Sequence, residues 1–457
     1  MNLFKKNTIT LILIAVYICN FNLFGTNKTS TTPQKAIAQQ KNPKEVWMTI
    51  FIHGIINIKP HLSFSNLIRF MRDQITDSIY ARAVEIMRKD PFFYQVYAIQ
   101  GLGLQPIDMS QQNPGNATTA FAHAYKEFAS LHSSNQEQLF YTFGWSGLLS
   151  SQVRYQEALI FYDQLDKEIT RLRAKGLEPK IQTVAYSHGG YVALKTADAA
   201  DQNLLHANID TNSSASTPPS FPWYIDELIL IGVPVIPDSD FLVQHPLFKK
   251  IFHFYSPADR VQVVDCLATN RFFSNRVFSS RYGFTLPDTL TQIQLRFKRI
   301  ARTATKQCDK HTNGIPARLL RNADPGHTEL WSFGWTFGYR DYLPYHPFPV
   351  GAYLGYLVAI LRELCLPSNH LVMDVRLFEN KMLIKSINTS PKLTIPFPGV
   401  DDHQRILSII KPCIPVEYTR DMYEQKAKQA LAKAHAIKKA EKKEKWLKRR
   451  KWRRTKI

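Results

Sequence analysis

Ile181-Gln182-Thr183-Val184-Ala185-Tyr186-Ser187-His188-Gly189-Gly190 is the stretch on which the reading of this chain turns. An apolar run enters a turn holding one serine, and Tyr191-Val192-Ala193-Leu194 leaves it with helical character. A nucleophile elbow needs small residues two before and two after its serine, because the tight turn presses their backbones against neighbouring strands. Ala185 and Gly189 meet that need, with alanine where the G-x-S-x-G pattern has glycine. Taken alone, A-x-S-x-G also suits the glycine turn of a nucleotide-binding fold, so partner residues must be found elsewhere.

Outward from this turn, short apolar runs alternate with helical patterns. Val46 to Ile52 is apolar apart from Thr49 and ends in His53-Gly54, as expected of a strand covered on both faces. Residues 61–88 read as largely helical, 101–116 as a Gly/Gln/Pro/Asn loop, 117–131 as a helix and 138–143 as a strand. Apolar positions between 153 and 175 follow a 3.6-residue period, with Gly176 as the C-cap. Further strands are expected at 228–231, 251–255 and 293–300, with an uncertain one at 317–320, a helix at 350–364 and a β-hairpin at 372–387. This alternation predicts one α/β domain over 45–415 with a mostly parallel central sheet flanked by helices. It carries a helical insert at 56–137 and a low-complexity loop at 211–220.

Sheets of this kind gather functional groups in the loops at the carboxyl ends of their strands. Asp259, just past the 251–255 run, is the candidate acid that would hold an imidazole by its Nδ1; Asp265, Asp238 and Asp240 are the alternatives. His327, on a Pro-Gly turn, is the candidate base, with His311 as the alternative. The order Ser187, Asp259, His327 is the one expected of a nucleophile-elbow hydrolase. Backbone N–H groups of His188 and Ile55 would form the oxyanion hole, with His53 bracing the loop around Gly54. Ser146, in Gly144-Trp145-Ser146-Gly147, lacks the following turn and is not the expected nucleophile.

The segments Phe51-Ile52-His53-Gly54, Ala185 to Gly189, Tyr255 to Val261 and Gly326 to Leu330 together resemble the serine α/β-hydrolase superfamily, and within it the lipases and esterases. The resemblance covers roughly residues 45–365. It implies an α/β-hydrolase fold and hydrolysis of carboxylic esters through an acyl-enzyme, with an ester or lipid as substrate and neither cofactor nor metal. Two other readings stay open: a catalytically silent member that binds a lipid or partner, and a protein whose main work is done by its C-terminal tail.

Charge bears on that last reading. The chain carries a formal +21, but residues 421–457 hold 15 Lys and Arg against 4 Asp and Glu, so about half of the excess sits in the final basic stretch. Lys-Ala alternation followed by Lys445-Trp446-Leu447-Lys448-Arg449-Arg450 suggests a basic helix facing an anionic membrane surface, or a solvated tail. Nucleic acid is the less favoured partner, and oligomeric state is not legible. At the other end, Lys5-Lys6 and an apolar run within residues 1–25 predict an export signal or an N-terminal anchor, followed by a polar linker at 26–44. Cys266, Cys308, Cys365 and Cys413 allow two disulfides in an exported chain, or four free thiols. Phe64, Leu67, Phe70, Met71, Ile79, Ile86, Met87, Phe92 and Phe93 give the insert either an apolar cap over the site or ordinary helix faces.

Overall fold

The apolar run before His53 folds as β1 (Lys44–Ile52), and alternate side chains enter two different cores. Met48, Ile50 and Ile52 face one side of the sheet and Phe51 the other, which is why the strand reads as apolar almost throughout. The computed structural model describes residues 43–56, 73, 75–96, 101–110, 117–132, 137–211, 221–262, 274–281, 283–297, 324–333, 345–364, 369–387, 392–414 and 420–455. The chain divides into two units, Met1–Asn42, which lies outside the described residues, and Pro43–Ile457. Also outside them are Phe64, Leu67, Phe70, Met71, Asp265, His311, the expected strand at 317–320, the loop after Thr211, and every cysteine except Cys413, a buried free thiol.

After β1 come α1 (Ile79–Lys89), α2 (Pro91–Val96), β2 (Gly103–Pro106), α3 (Ala117–Ser130), β3 (Gln138–Gly144), α4 (Ser151–Arg173), β4 (Leu177–Tyr186), α5 (Gly189–Thr211) and β5 (Ile225–Ile231). Then follow β6 (Ile251–Tyr255), β7 (Leu290–Phe297), α6 (Leu354–Glu363), β8 (His370–Arg376), β9 (Lys381–Ser386), β10 (Leu393–Pro396), α7 (Val400–Ile410) and α8 (Arg420–Thr455). The ten strands form one sheet in the order β10-β9-β8-β7-β6-β5-β4-β1-β3-β2. All ladders from β3 to β8 are parallel, and β2, β9 and β10 are antiparallel additions at the two edges.

Helices cover both faces. One core packs α3 and α6 against Phe51, Val184, Ile229 and Phe252; the other packs α4 and α5 against Ile50, Ala185, Leu228 and Leu230. The chain steps from β1 to β3 on one side, then returns across β1 to lay down β4 and β5 on the other. Strand order therefore reverses between β1 and β4, where open α/β sheets have their ligand crevice.

Two local expectations are corrected. Residues 101–116 do not form only a loop, because Gly103–Pro106 is strand β2. Gly103 at φ +82° and Pro106 are tolerable there because an edge strand must satisfy only one side, and the amide of Leu104 donates to Gln164 Oε1 at 2.6 Å instead. The 350–364 helix opens as a 3-10 turn, Val350–Tyr353, before α6 begins.

The basic tail also differs from a solvated helix. α8 is one helix of 36 residues, and its first half buries Tyr423, Ala427, Ala430 and Ala434 against Tyr80, Val84, Met87 and Phe93. Ile79, Ile86, Met87, Phe92 and Phe93 of the insert therefore pack in the same cluster as α8, whereas Phe121 and Phe128 of α3 pack on the sheet. Arg82 donates to both Glu441 carboxylate oxygens at 2.6 and 2.9 Å, and Lys426 reaches Asp90 at 2.9 Å. Ile55 and Ile56 border the same cluster, so it begins at the loop after β1.

Candidate active site

β4 runs between β1 and β5, and the β5 ladder continues through the serine itself: the Ser187 amide donates to the Ile231 carbonyl at 3.0 Å. Ser187 then takes a φ of +52°, a left-handed conformation uncommon for a non-glycine residue. The turn closes into α5 through Gly190 N–H donating to the Ser187 carbonyl at 3.0 Å. A Cβ on Gly189 would collide with the His53 carbonyl, and one on Gly190 with Val233. Those contacts are the physical reason for two glycines after the serine and histidine.

Three strand ends then converge. His327 Nε2 lies 2.9 Å from Ser187 Oγ, and His327 Nδ1 lies 2.8 Å from Asp259 Oδ2. Against a carboxylate, Nδ1 carries the proton and donates, which leaves Nε2 to accept from the serine hydroxyl. The other Asp259 oxygen accepts from the amides of Val261 at 3.0 Å and Gln262 at 3.3 Å, so this fully buried carboxylate is held from both sides. His327 is fixed from behind: Tyr186 Oη donates to its carbonyl at 2.9 Å, and the two rings stand 4.9 Å apart. Ser187 is 1% exposed and Asp259 0%, whereas the His327 side chain is 14% exposed.

Of the alternatives, Asp240 is committed to Arg281 at 2.7 Å. Gly232 is a position the sequence did not single out. It sits at φ +60°, and a Cβ there would stand 3.2 Å from Asp259 Oδ2 and 3.5 Å from His327 Nδ1. Having no Cβ there leaves the Asp259–His327 contact unobstructed.

The Gly54 loop lies directly against Ser187, since a Cβ on Gly54 would stand 2.9 Å from Ser187 Cβ. That places the Gly54-Ile55 and Ser187-His188 segments side by side. The Ile56 amide is taken by the Gly147 carbonyl at 3.2 Å, and Trp145 Nε1 donates to the His53 carbonyl at 2.7 Å. Gly144-Trp145-Ser146-Gly147 thus braces the loop. His53 Nδ1 donates to the Gly54 carbonyl at 2.6 Å while Nε2 accepts from the Trp145 amide at 3.3 Å. Burial, and then the Arg88 guanidinium at 3.4 Å from Nε2, hold this imidazole neutral well below its ordinary range.

Two arginines complete the surroundings. Arg88 on α1 is 5% exposed, and burial lowers its pKa to about 10, so it remains charged near neutral pH. Arg154 on α4 is fully buried; it donates through Nη1 to His188 Nδ1 and through Nε to the Ser150 carbonyl at 3.2 Å, and stacks 4.3 Å from the Tyr191 ring centre. Each residue pair that flanks the Gly54–Ser187 contact therefore has a guanidinium behind its histidine, Arg88 at His53 and Arg154 at His188. Nothing local in the sequence marks either arginine, because a single Arg in a helix is ordinarily a surface residue.

Two surface grooves lie elsewhere. One of about 560 Å³ runs between α4 and α5 past Tyr155, Tyr191 and Lys195, and one of about 520 Å³ crosses β2, β3 and α4. Neither is lined by Ser187, Asp259 or His327, so neither is assigned to substrate. In comparisons with known proteins, no family model, curated protein or solved structure matches this chain.

Proposed function

We propose that this protein is a serine hydrolase of the α/β-hydrolase type that cleaves carboxylic esters through an acyl-enzyme. The observation that carries the reading is the unbroken chain from Ser187 Oγ through His327 to Asp259, with the serine on a left-handed strand-to-helix turn.

His327 Nε2 takes the hydroxyl proton as Ser187 Oγ attacks the ester carbonyl, and Asp259 stabilises the imidazolium that forms. The amides of His188 and Ile55 receive the negative charge on the carbonyl oxygen. Imidazolium returns its proton to the departing alkoxide, leaving the acyl group on Ser187. Water, deprotonated by the same imidazole, then releases the carboxylic acid and restores the serine. An ester or lipid suits this chemistry, and no step calls for a metal or cofactor.

A fluorophosphonate probe tests the assignment, because a nucleophilic serine displaces fluoride and keeps the phosphonyl group. The wild-type chain is expected to be labelled and Ser187→Ala to be blank while melting at the same temperature. Equal labelling of the variant, or a folded wild-type protein that never labels, would sink the proposal.

A further inference from the structure

The docked half of α8 fixes the direction of the half that follows. Beyond the Arg82–Glu441 pair, every residue from Lys442 to Trp452 is exposed, and the helix runs on to Thr455. Those last 14 residues extend about 21 Å at 1.5 Å per residue. Residues 442–454 contain nine Lys and Arg and one acid, Glu444, which pairs with Lys448 at 2.6 Å. At 100° per residue the cations from Lys442 to Lys451 point in every direction around the rod. Like charges at such spacing oppose helix formation, so an anionic counterpart stabilises the arm.

Three large apolar side chains interrupt the charge. Trp446, Leu447 and Trp452 are 55, 48 and 59% exposed, and the Arg450 guanidinium lies 5.2 Å from the Trp446 ring centre. A purely solvated basic helix gains nothing from tryptophans that are more than half exposed. Phosphate-rich lipid headgroups above a carbonyl-level interface match both features: cations meet the phosphates, and indole rings favour the interfacial layer. Duplex nucleic acid offers the phosphates but no apolar layer for two indoles and a leucine.

We infer that residues 442–455 are an arm that binds the surface of an anionic lipid bilayer, held at a fixed angle to the sheet domain by the docked half of α8. The inference goes beyond the hydrolase proposal and stands or falls independently of it, since its measurement is binding.

Sedimentation of the full chain with vesicles tests it, using phosphatidylcholine alone or mixed with phosphatidylserine. Binding is expected only to the mixed vesicles, with a blue shift of tryptophan emission and loss in high salt. Each basic residue near the surface contributes about fivefold to partitioning, so joint replacement of Lys448, Arg449, Arg450 and Lys451 by Gln should weaken it on the order of several hundredfold. Trp446→Ser with Trp452→Ser should remove the blue shift and weaken binding further. Both variants alter exposed residues outside the buried seam, and unchanged thermal melting verifies that they fold. Binding indifferent to lipid charge, binding unchanged in the variants, or displacement from vesicles by duplex DNA at equal phosphate concentration overturns the inference.

Discussion

At Gly54 one methyl group separates an open site from a blocked one. Its Cβ would stand 2.9 Å from Ser187 Cβ and 3.1 Å from the Tyr186 ring, just past the end of β4 and at it, so the loop and its Ile55 amide would have to withdraw. Gly54→Ala should therefore fold but lose about a hundredfold in kcat or more, the scale of one removed oxyanion donor; stopped assays on a soluble ester give the number. Asp259→Asn tests the other side of the serine. The amide keeps the shape but can donate to Nδ1, which favours the tautomer with its proton on Nε2, and kcat should fall by about 10⁴. Arg154 contacts His188 one step further out, and under the proposed mechanism it would be a positioning residue. Arg154→Met should lower kcat by roughly tenfold to a hundredfold with KM little changed, and Arg154→Lys should recover part of it by restoring the charge. A drop in KM-related binding alone, or no rescue by lysine, would mean that Arg154 only fills space.

Among the elements, α8 shows most clearly where sequence reading stops. Strands β1, β3, β5 and β6 were legible as apolar runs, and α4 as a periodic pattern, because burying large side chains writes a strong signal. The α8 seam is written instead in Tyr423, Ala427, Ala430 and Ala434, small residues at three- and four-residue spacing among lysines. Alanine buries little area and favours helices everywhere, so the pattern looks the same in a docked helix and a solvated one. Strand β2 was hidden for a different reason: glycine and proline mark turns, yet an edge strand tolerates both. The docking has a measurable consequence. Ala434→Glu places a carboxylate in the fully buried seam and should cost about 2–3 kcal/mol in denaturant unfolding. Ending the chain after Glu441 should cost almost nothing, since residues 442–452 are all exposed. The Arg82–Glu441 pair, with side chains 32% and 41% exposed, adds at most about 1 kcal/mol. If Ala434→Glu were as stable as the parent, α8 would not be docked in solution.

Across the whole molecule, the candidate site was legible to the extent that it sits on strand ends. His53-Gly54 after β1, Ser187 after β4, Asp259 after β6 and His327 beyond β7 each carry a local turn signature, and a parallel sheet brings such ends to one edge. Gly232, Arg88 and Arg154 have no such signature; only the packed sheet reveals what stands beside them. Burial of titratable groups is likewise a property of the complete fold, and it sets how the molecule responds to acid. His53 and His253 are both fully buried, and desolvation keeps both imidazoles neutral below their ordinary range, with His253 lowered to about 4. An unfolded chain protonates these rings near pH 6.5 while the folded one does not, so the unfolded state binds more protons and stability falls as pH drops through that value. His253 alone accounts for about 2 kcal/mol of loss between neutral pH and about pH 5. It is the informative residue because it lies inside β6, with the Phe278 ring 5.0 Å away, and takes no part in the proposed chemistry. His253→Leu should therefore flatten the dependence of unfolding free energy on pH between 7 and 5 by about that amount, whatever its stability at neutral pH. Denaturant titrations at a series of pH values measure the slope, and an unchanged slope would show that His253 is protonated in the folded state or is reached by water.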